Sequence, residues 1–351
     1  MNKEIISRYN SFWAHEDTDR PILHITVRDK SAAWDEHEPK SPYEKWEDLE
    51  ARYAWSRFSM KHTKYFGEGY AHDWVNFGPG SMGAMMGSDY IADWNTVWFG
   101  EGHTFFKDWS NIDDLRLMED APMYAMVSDM TKMLVERNDG SYIVGVSDLG
   151  GNLDILASLR DTQTLLMDLH DYPEMVIRAT EVIDESWKAY YTKLREMIKA
   201  SGQRGHSTWL GPWCETTYYP LQCDFAAMIS PDDFDRFVMP SLLRISEFLD
   251  HSIFHFDGPG QLPHLDHLLS IPRLDGIQWI PGDGAGPVWD EKWFPMYEKI
   301  QAAGLAIVLH GMKDAQTVLN MCKNFSPKGL WMSIELDTEE EAADLLAACK
   351  G

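Results

Sequence analysis

The chain predicts an α/β fold closed as a (β/α)8 TIM barrel, with an N-terminal helical extension and an insertion after the second strand. Three observations carry that expectation. Eight short apolar or β-branched runs recur along the 351 residues, helical stretches separate most of them, and most of the runs end in His, Asp, Asn or Glu. A β-then-α rhythm argues a parallel sheet, and barrels carry their reactive side chains at the C-terminal ends of the strands. No Gly-x-Gly-x-x-Gly turn follows the first run, which disfavours a doubly wound dinucleotide-binding sheet. Residues 1–351 read as a single domain, with an insertion at about 88–120 and no linker, low-complexity tract or repeat.

Taken in order, residues 3–14 form the helical extension, with Ile5, Ile6, Tyr9, Phe12 and Trp13 roughly on one side. Pro21 opens the first strand, Ile22 to Val27, and an aromatic-rich helical stretch runs from about Tyr43 to Tyr65. The second strand is His72 to Phe77, closed by Gly78-Pro79-Gly80. Within the insertion, Asp93 to Phe99 reads as a hairpin or extra strand. The third strand is Tyr142 to Asp148, followed by the Gly150-Gly151-Asn152 turn and a helix from about Leu153. Pro173 to about Ala200 is the longest helix, and His206 to Leu210 a weak fourth strand. Ser230-Pro231 is an N-cap with proline at the first helical position. The fifth strand, Ser252 to Asp257, ends at Gly258, and three more follow at Gly276–Ile280, Leu305–His310 and Gly329–Glu335. Thr338-Glu339-Glu340-Glu341 caps the last helix.

Composition narrows the function. At 44% hydrophobic the chain supports a large core. A net charge of −25 argues against nucleic acid or an anionic membrane surface as a partner, and a polyanionic substrate needs a local basic pocket. The four cysteines are widely spaced, so reduced thiols in the cytoplasm are expected, and no stretch nears the roughly 18–20 apolar residues of a membrane span. The 15 tryptophans either line a pocket or pack barrel against helices, the second being the commoner use.

His255 and Asp257 carry the sharpest chemical signal, because residues two apart on a strand project to one face. They suit a metal-ligand pair or an acid–base pair; the plainer reading is a histidine satisfied in a polar barrel layer. Glu335 ends the last strand, which neighbours the first in a closed barrel. His255, Asp257 and Glu335 therefore make a candidate set for a divalent ion, zinc or a harder one. Asp73, Asp148 and His310 are the candidate catalytic groups. Asn76, Asn152, His206, Trp209, Trp213 and Trp279 are candidate substrate contacts at or near predicted strand ends. Each polar residue among them also has a structural role open to it, as a cap or a satisfied core group. Cys214 and Cys223 read as small buried hydrophobes before metal ligands.

Several stretches together resemble the uroporphyrinogen decarboxylase superfamily. They are Pro220-Leu221-Gln222-Cys223-Asp224-Phe225 through Ser230-Pro231-Asp232-Asp233-Phe234 to Pro240, Asn76-Phe77-Gly78-Pro79-Gly80, Leu165 to Glu174, and Gly329-Leu330 with Thr338 to Glu341. That resemblance implies the same (β/α)8 barrel. Members that decarboxylate uroporphyrinogen carry an Arg-Gln-Ala-Gly-Arg motif; here Pro21 to Lys30 lacks the arginine pair. Another branch moves methyl groups between a small molecule, a corrinoid protein and an acceptor, and its thiol-methylating members bind zinc through His-x-Cys-Gly and a later cysteine. His255-Phe256-Asp257-Gly258 matches this with Asp257 in place of cysteine, and the later ligand falls near Ser333 or Glu335.

The expectation is a metal-assisted methyltransferase or demethylase of a small molecule, as monomer or homodimer, with a corrinoid carried on a partner protein. Two alternatives stay open: a cofactor-free decarboxylase using Asp73, and a non-catalytic ligand-binding barrel.

Overall fold

The computed structural model describes residues 1–100 and 104–350. Twelve strands form three hydrogen-bonded sheets among these residues: β1 (Ile22–Arg28), β2 (Thr63–Gly67), β3 (His72–Asp73), β4 (Tyr90–Ala92), β5 (Val97–Phe99), β6 (Ile143–Val146), β7 (Ser207–Thr208), β8 (Tyr218–Gln222), β9 (His251–Asp257), β10 (Gly276–Ile280), β11 (Ala306–Met312) and β12 (Leu330–Leu336). The largest has the order β2-β1-β12-β11-β10-β9-β8 and is parallel throughout except for β2 against β1. A second, β3-β6-β7, is parallel.

The last long strand lies beside the first, as a barrel requires, with His24 opposite Ser333. Among the described residues no ladder joins the two parallel sheets, so the structure is mixed α/β in two arcs without a hydrogen-bonded closed ring. Side chains span the gaps. Tyr70 donates its hydroxyl to the Gly211 carbonyl, the rings of His24 and His72 lie 6.2 Å apart, and His206 Nε2 meets the Tyr218 carbonyl at 3.0 Å.

Two buried clusters separate the faces. Ile22, Ile253, Val308 and Trp331 pack with Tyr9, Phe12 and Trp13 of the helix Lys3–Trp13, together with Tyr70, Trp213 and Tyr218; this is the inner face. Leu23, Ile25, Phe254, Ile277, Trp279 and Leu309 project oppositely into the larger cluster, where the surrounding helices pack. The helix Lys3–Trp13 is thus an integral stopper of the inner face, and Trp13 Nε1 donates to the Trp213 carbonyl at 2.7 Å. A buried carboxylate fastens the segment after it: Glu68 accepts two 2.7 Å bonds from Arg20, pairs with Arg8 at 2.7 Å and accepts the Leu23 amide.

Several elements depart from expectation. The second strand stops at Asp73, because Val75 takes φ 56°, a left-handed conformation that a β-branched residue rarely tolerates and that ends an extended run. The fourth is only Ser207–Thr208; Gly211, at φ 95°, and Pro212 turn the chain away. β8 is a strand that the sequence pattern does not predict, and it contains Pro220. β8 sits at the end of its ladder, where a residue without an N–H is accepted. The helical stretch expected to reach Tyr65 is shorter: Leu49–Lys61 ends at His62, and Thr63–Gly67 pairs antiparallel with β1 as β2. In the expected insertion, β4 and β5 form the hairpin, while residues 101–103 lie outside the described residues.

The caps at Ser230 and Thr338 form as expected, Thr338 with Glu341 in a reciprocal capping box. Cys322 and Cys349, far apart in sequence, bring their sulfurs to 3.5 Å, and all four cysteines are free.

Candidate metal centre

β9 alternates between the clusters, so His255 and Asp257 follow Ile253 onto the inner face. On β10, Gln278 stands opposite His255, and its Oε1 meets His255 Nδ1 at 2.6 Å. An amide oxygen only accepts, so Nδ1 carries the proton and Nε2 presents its lone pair, the form that binds a metal. Nε2 faces two carboxylates, Asp224 Oδ1 at 3.9 Å and Asp257 Oδ2 at 4.0 Å. Trp209 holds the imidazole edge-on, with ring centres 5.0 Å apart at 85°.

Asp224, His255 and Asp257 each offer a ligand atom, all within 4.8 Å of one another; they are the only such set among the described residues. One nitrogen and two oxygens make a borderline-to-hard donor set, matching zinc or a harder divalent ion. The set is half open, His255 being mostly covered and Asp224 exposed, which leaves room for a further ligand.

Asp224 owes its position to the helix Asn152–Arg160. Asp154 on that helix accepts the backbone amides of Asp224 at 2.9 Å and Phe225 at 2.8 Å. Burial, then the Asp224 charge, push the Asp154 carboxyl up to about 8. Burial also pushes Asp148 up to about 6, against the Gly150 amide and the nearby His255. Asp257 is raised by burial and by Asp224, with His255 opposing. Asp224, Asp257 and Asp148 surround one imidazole with Asp154 behind Asp224, and crowded carboxylates favour a cation or a shared proton. Asp224 and Asp154 also line a cleft of about 730 Å³ with Gly80, Trp98, Gln222 and Met228.

The other expected site residues divide. Asp148 and Trp209 belong to the centre. Asn152 is buried at the start of its helix, beside Gln222. His310 is on the inner face, its Nδ1 3.4 Å from Ser333 Oγ and its ring 4.9 Å from Trp331. Glu335 lies apart from the triad, half exposed and 3.3 Å from Arg28; a strand-end glutamate reaches solvent and the nearest cation. Asp224 holds the third place instead. Its only signal in the sequence was its position in the Pro220–Phe225 stretch.

Five more lie elsewhere because of strand parity or local turns. Asp73 projects outward, accepting the Ser56 hydroxyl and pairing with Arg57 at 3.2 Å. With Asn76, Trp46, Trp55 and Trp94 it lines a separate cavity of about 460 Å³. Trp279 is buried on the outer face against Phe256 and Trp293. Trp213 and His206 are fully buried in and behind the inner-face cluster, where His206 Nε2 meets the Tyr218 carbonyl at 3.0 Å. Cys214 and Cys223 are buried, and burial pushes both thiols up, as for inert core cysteines.

No family model and no curated relative matches this chain. Among solved structures it is similar to a methyltransferase from Methanosarcina mazei, with TM-score 0.58 and 11% identity over 99% of this chain and 98% of the other. The likeness is one of fold. It extends over essentially both chains. Among the described residues no helix is long and apolar enough to cross a membrane.

Proposed function

We propose that the chain is a methyltransferase acting on a small methylated molecule, with a divalent ion held by Asp224, His255 and Asp257 and the methyl group passing to a corrinoid on a partner protein. The two parallel arcs would close as a (β/α)8 barrel with this centre at its mouth. The observation that carries the reading is the triad at the C-terminal end of β9, backed by Gln278. The likeness to a methyltransferase from Methanosarcina mazei supports it at the level of fold.

A bound zinc or similar ion supplies Lewis acidity to the oxygen from which the methyl group departs. The chain does the rest. Gln278 orients the imidazole, Asp154 holds the Asp224 loop through two backbone amides, and Trp209 shields His255 from water. Asp148, raised to about 6 by burial, is protonated in part near neutrality and would hand a proton to the departing oxygen.

Decarboxylation of a polycarboxylate is the weaker reading. The centre gathers aspartates, and Asp73, which that reading needs, faces away and is tied to Arg57.

Metal analysis of the purified protein is the test, followed by transfer of methyl groups from methyl ethers to reduced free corrinoid. Wild type is expected to hold about one ion per chain, with D224N, H255A and D257N losing both metal and transfer while E335Q keeps both. Transfer that survives complete chelation, or equal metal retention in all four variants, would remove this mechanism. A protein that binds metal but transfers nothing would point to the non-catalytic barrel.

A further inference from the structure

Below the metal centre lies a second group of imidazoles that the proposed chemistry leaves unused. His24 on β1, His72 on β3 and His310 on β11 project to the inner face over Trp331. The His24 and His310 rings lie 5.8 Å and 4.9 Å from that indole, and the His24 and His72 rings 6.2 Å from each other. His24 is only 9% exposed, yet among the described residues its Nδ1 has no hydrogen-bond partner; neither has His310 Nε2. Buried polar nitrogens are rarely left without partners, and each exception calls for an explanation, a bound group among them.

An ion does not account for them. Their nitrogens do not converge within 4.8 Å as those of the Asp224 set do. What spans such separations is a molecule.

We propose that this imidazole floor seats the body of the methyl donor, and that the donor is a neutral, flat, oxygen-bearing ring, a methyl aryl ether, in preference to a carboxylated or phosphorylated one. The inference rests on the methyltransferase reading and adds the substrate class. Burial holds His24 near 3 and His72 and His310 near 4, so the floor is uncharged at neutral pH and offers N–H donors and ring-nitrogen acceptors. The rim contributes the Asp224 and Asp257 carboxylates, 3.9 Å and 4.0 Å from His255, which disfavour an anion. Arg28, the cation at the end of β1, is engaged by Glu335. Trp331 beneath and Trp209 beside His255 supply aromatic surface for a ring.

The test titrates the full-length protein with 1,2-dimethoxybenzene and with 3,4-dimethoxybenzoate, following tryptophan fluorescence with and without chelator. The neutral ether is expected to bind at least about ten-fold more tightly than the benzoate, and His24→Phe and His310→Phe each to weaken it about ten-fold, the worth of one hydrogen bond near the upper end of the usual range. Arg178→Ala, at an exposed ion pair with Asp113 far from the floor, should leave ether binding within about two-fold. In wild type, imidazole ring signals in the NMR spectrum that only His24→Phe or His310→Phe removes should shift on adding the ether. Equal affinity for the two ligands, no saturable quenching, or unshifted imidazole signals would overturn the proposal. Failure of the metal reading looks different: ether binding persists, while wild type holds no ion.

Discussion

His24 has a consequence for stability as well as for binding. Burial, reinforced by His72 and His310, lowers its pKa from 6.5 to about 3. Between those values the unfolded chain takes up a proton that the folded protein does not. The stability this residue contributes is therefore complete above about pH 6.5 and is lost progressively as the pH falls toward 3. By pH 5 the loss from this group is about 2 kcal/mol. Urea unfolding of His24→Phe should accordingly show a shallower decline from pH 7 to pH 5 than wild type. An unchanged pH slope would mean that this imidazole is not held neutral. The same scale separates Asp224 from Glu335. Both are acidic and lie at or just past strand ends, but only Asp224 has its backbone held, by Asp154 through two amides.

Among the elements, the helix Asn152–Arg160 and the segment around Glu68 do the most to position the site. Gly151 lies so close to β8 that a Cβ there would sit 1.9 Å from the Gln222 carbonyl oxygen. Gly151→Ala must push the helix, and with it Asp154, away from the Asp224 loop. It is expected to cost at least about 2 kcal/mol and to weaken metal binding; a variant with wild-type stability and metal content would refute this coupling. Glu68 is 1% exposed and serves Arg8, Arg20 and the Leu23 amide together. Glu68→Ala leaves two arginines with no carboxylate between them, and thermal unfolding should register a loss of about 3–5 kcal/mol. The elements that sequence patterning missed share a cause. β2 is short and follows a helix directly, β8 contains proline, and β3 is cut off by Val75; in each, tertiary pairing or an unusual φ overrode the local preference.

At the scale of the whole molecule, 56 acidic residues face 31 basic ones. Fixed charge of one sign repels itself across the surface, and salt screens it over a Debye length of about 10 Å at 0.1 M. Raising NaCl from about 20 to about 300 mM should therefore raise the melting temperature by at least about 2 °C. A flat or falling response would indicate that the exposed ion pairs outweigh the net repulsion.

Alternation along each strand is a local property, and it sufficed to locate β1, β9, β10, β11 and β12 and to put His255 and Asp257 on one side of the chain. Which side faces inward is not local. It follows from which residues meet the N-terminal helix and which meet the surrounding helices, and so Gln278 supports the centre while its neighbour Trp279 is buried on the far face. Asp224 reaches His255 only because β8 docks beside β9, and the inner-face histidines meet only because the two arcs come together. Residue spacing carries periodicity; contacts between distant segments depend on the free energy of packing the whole chain.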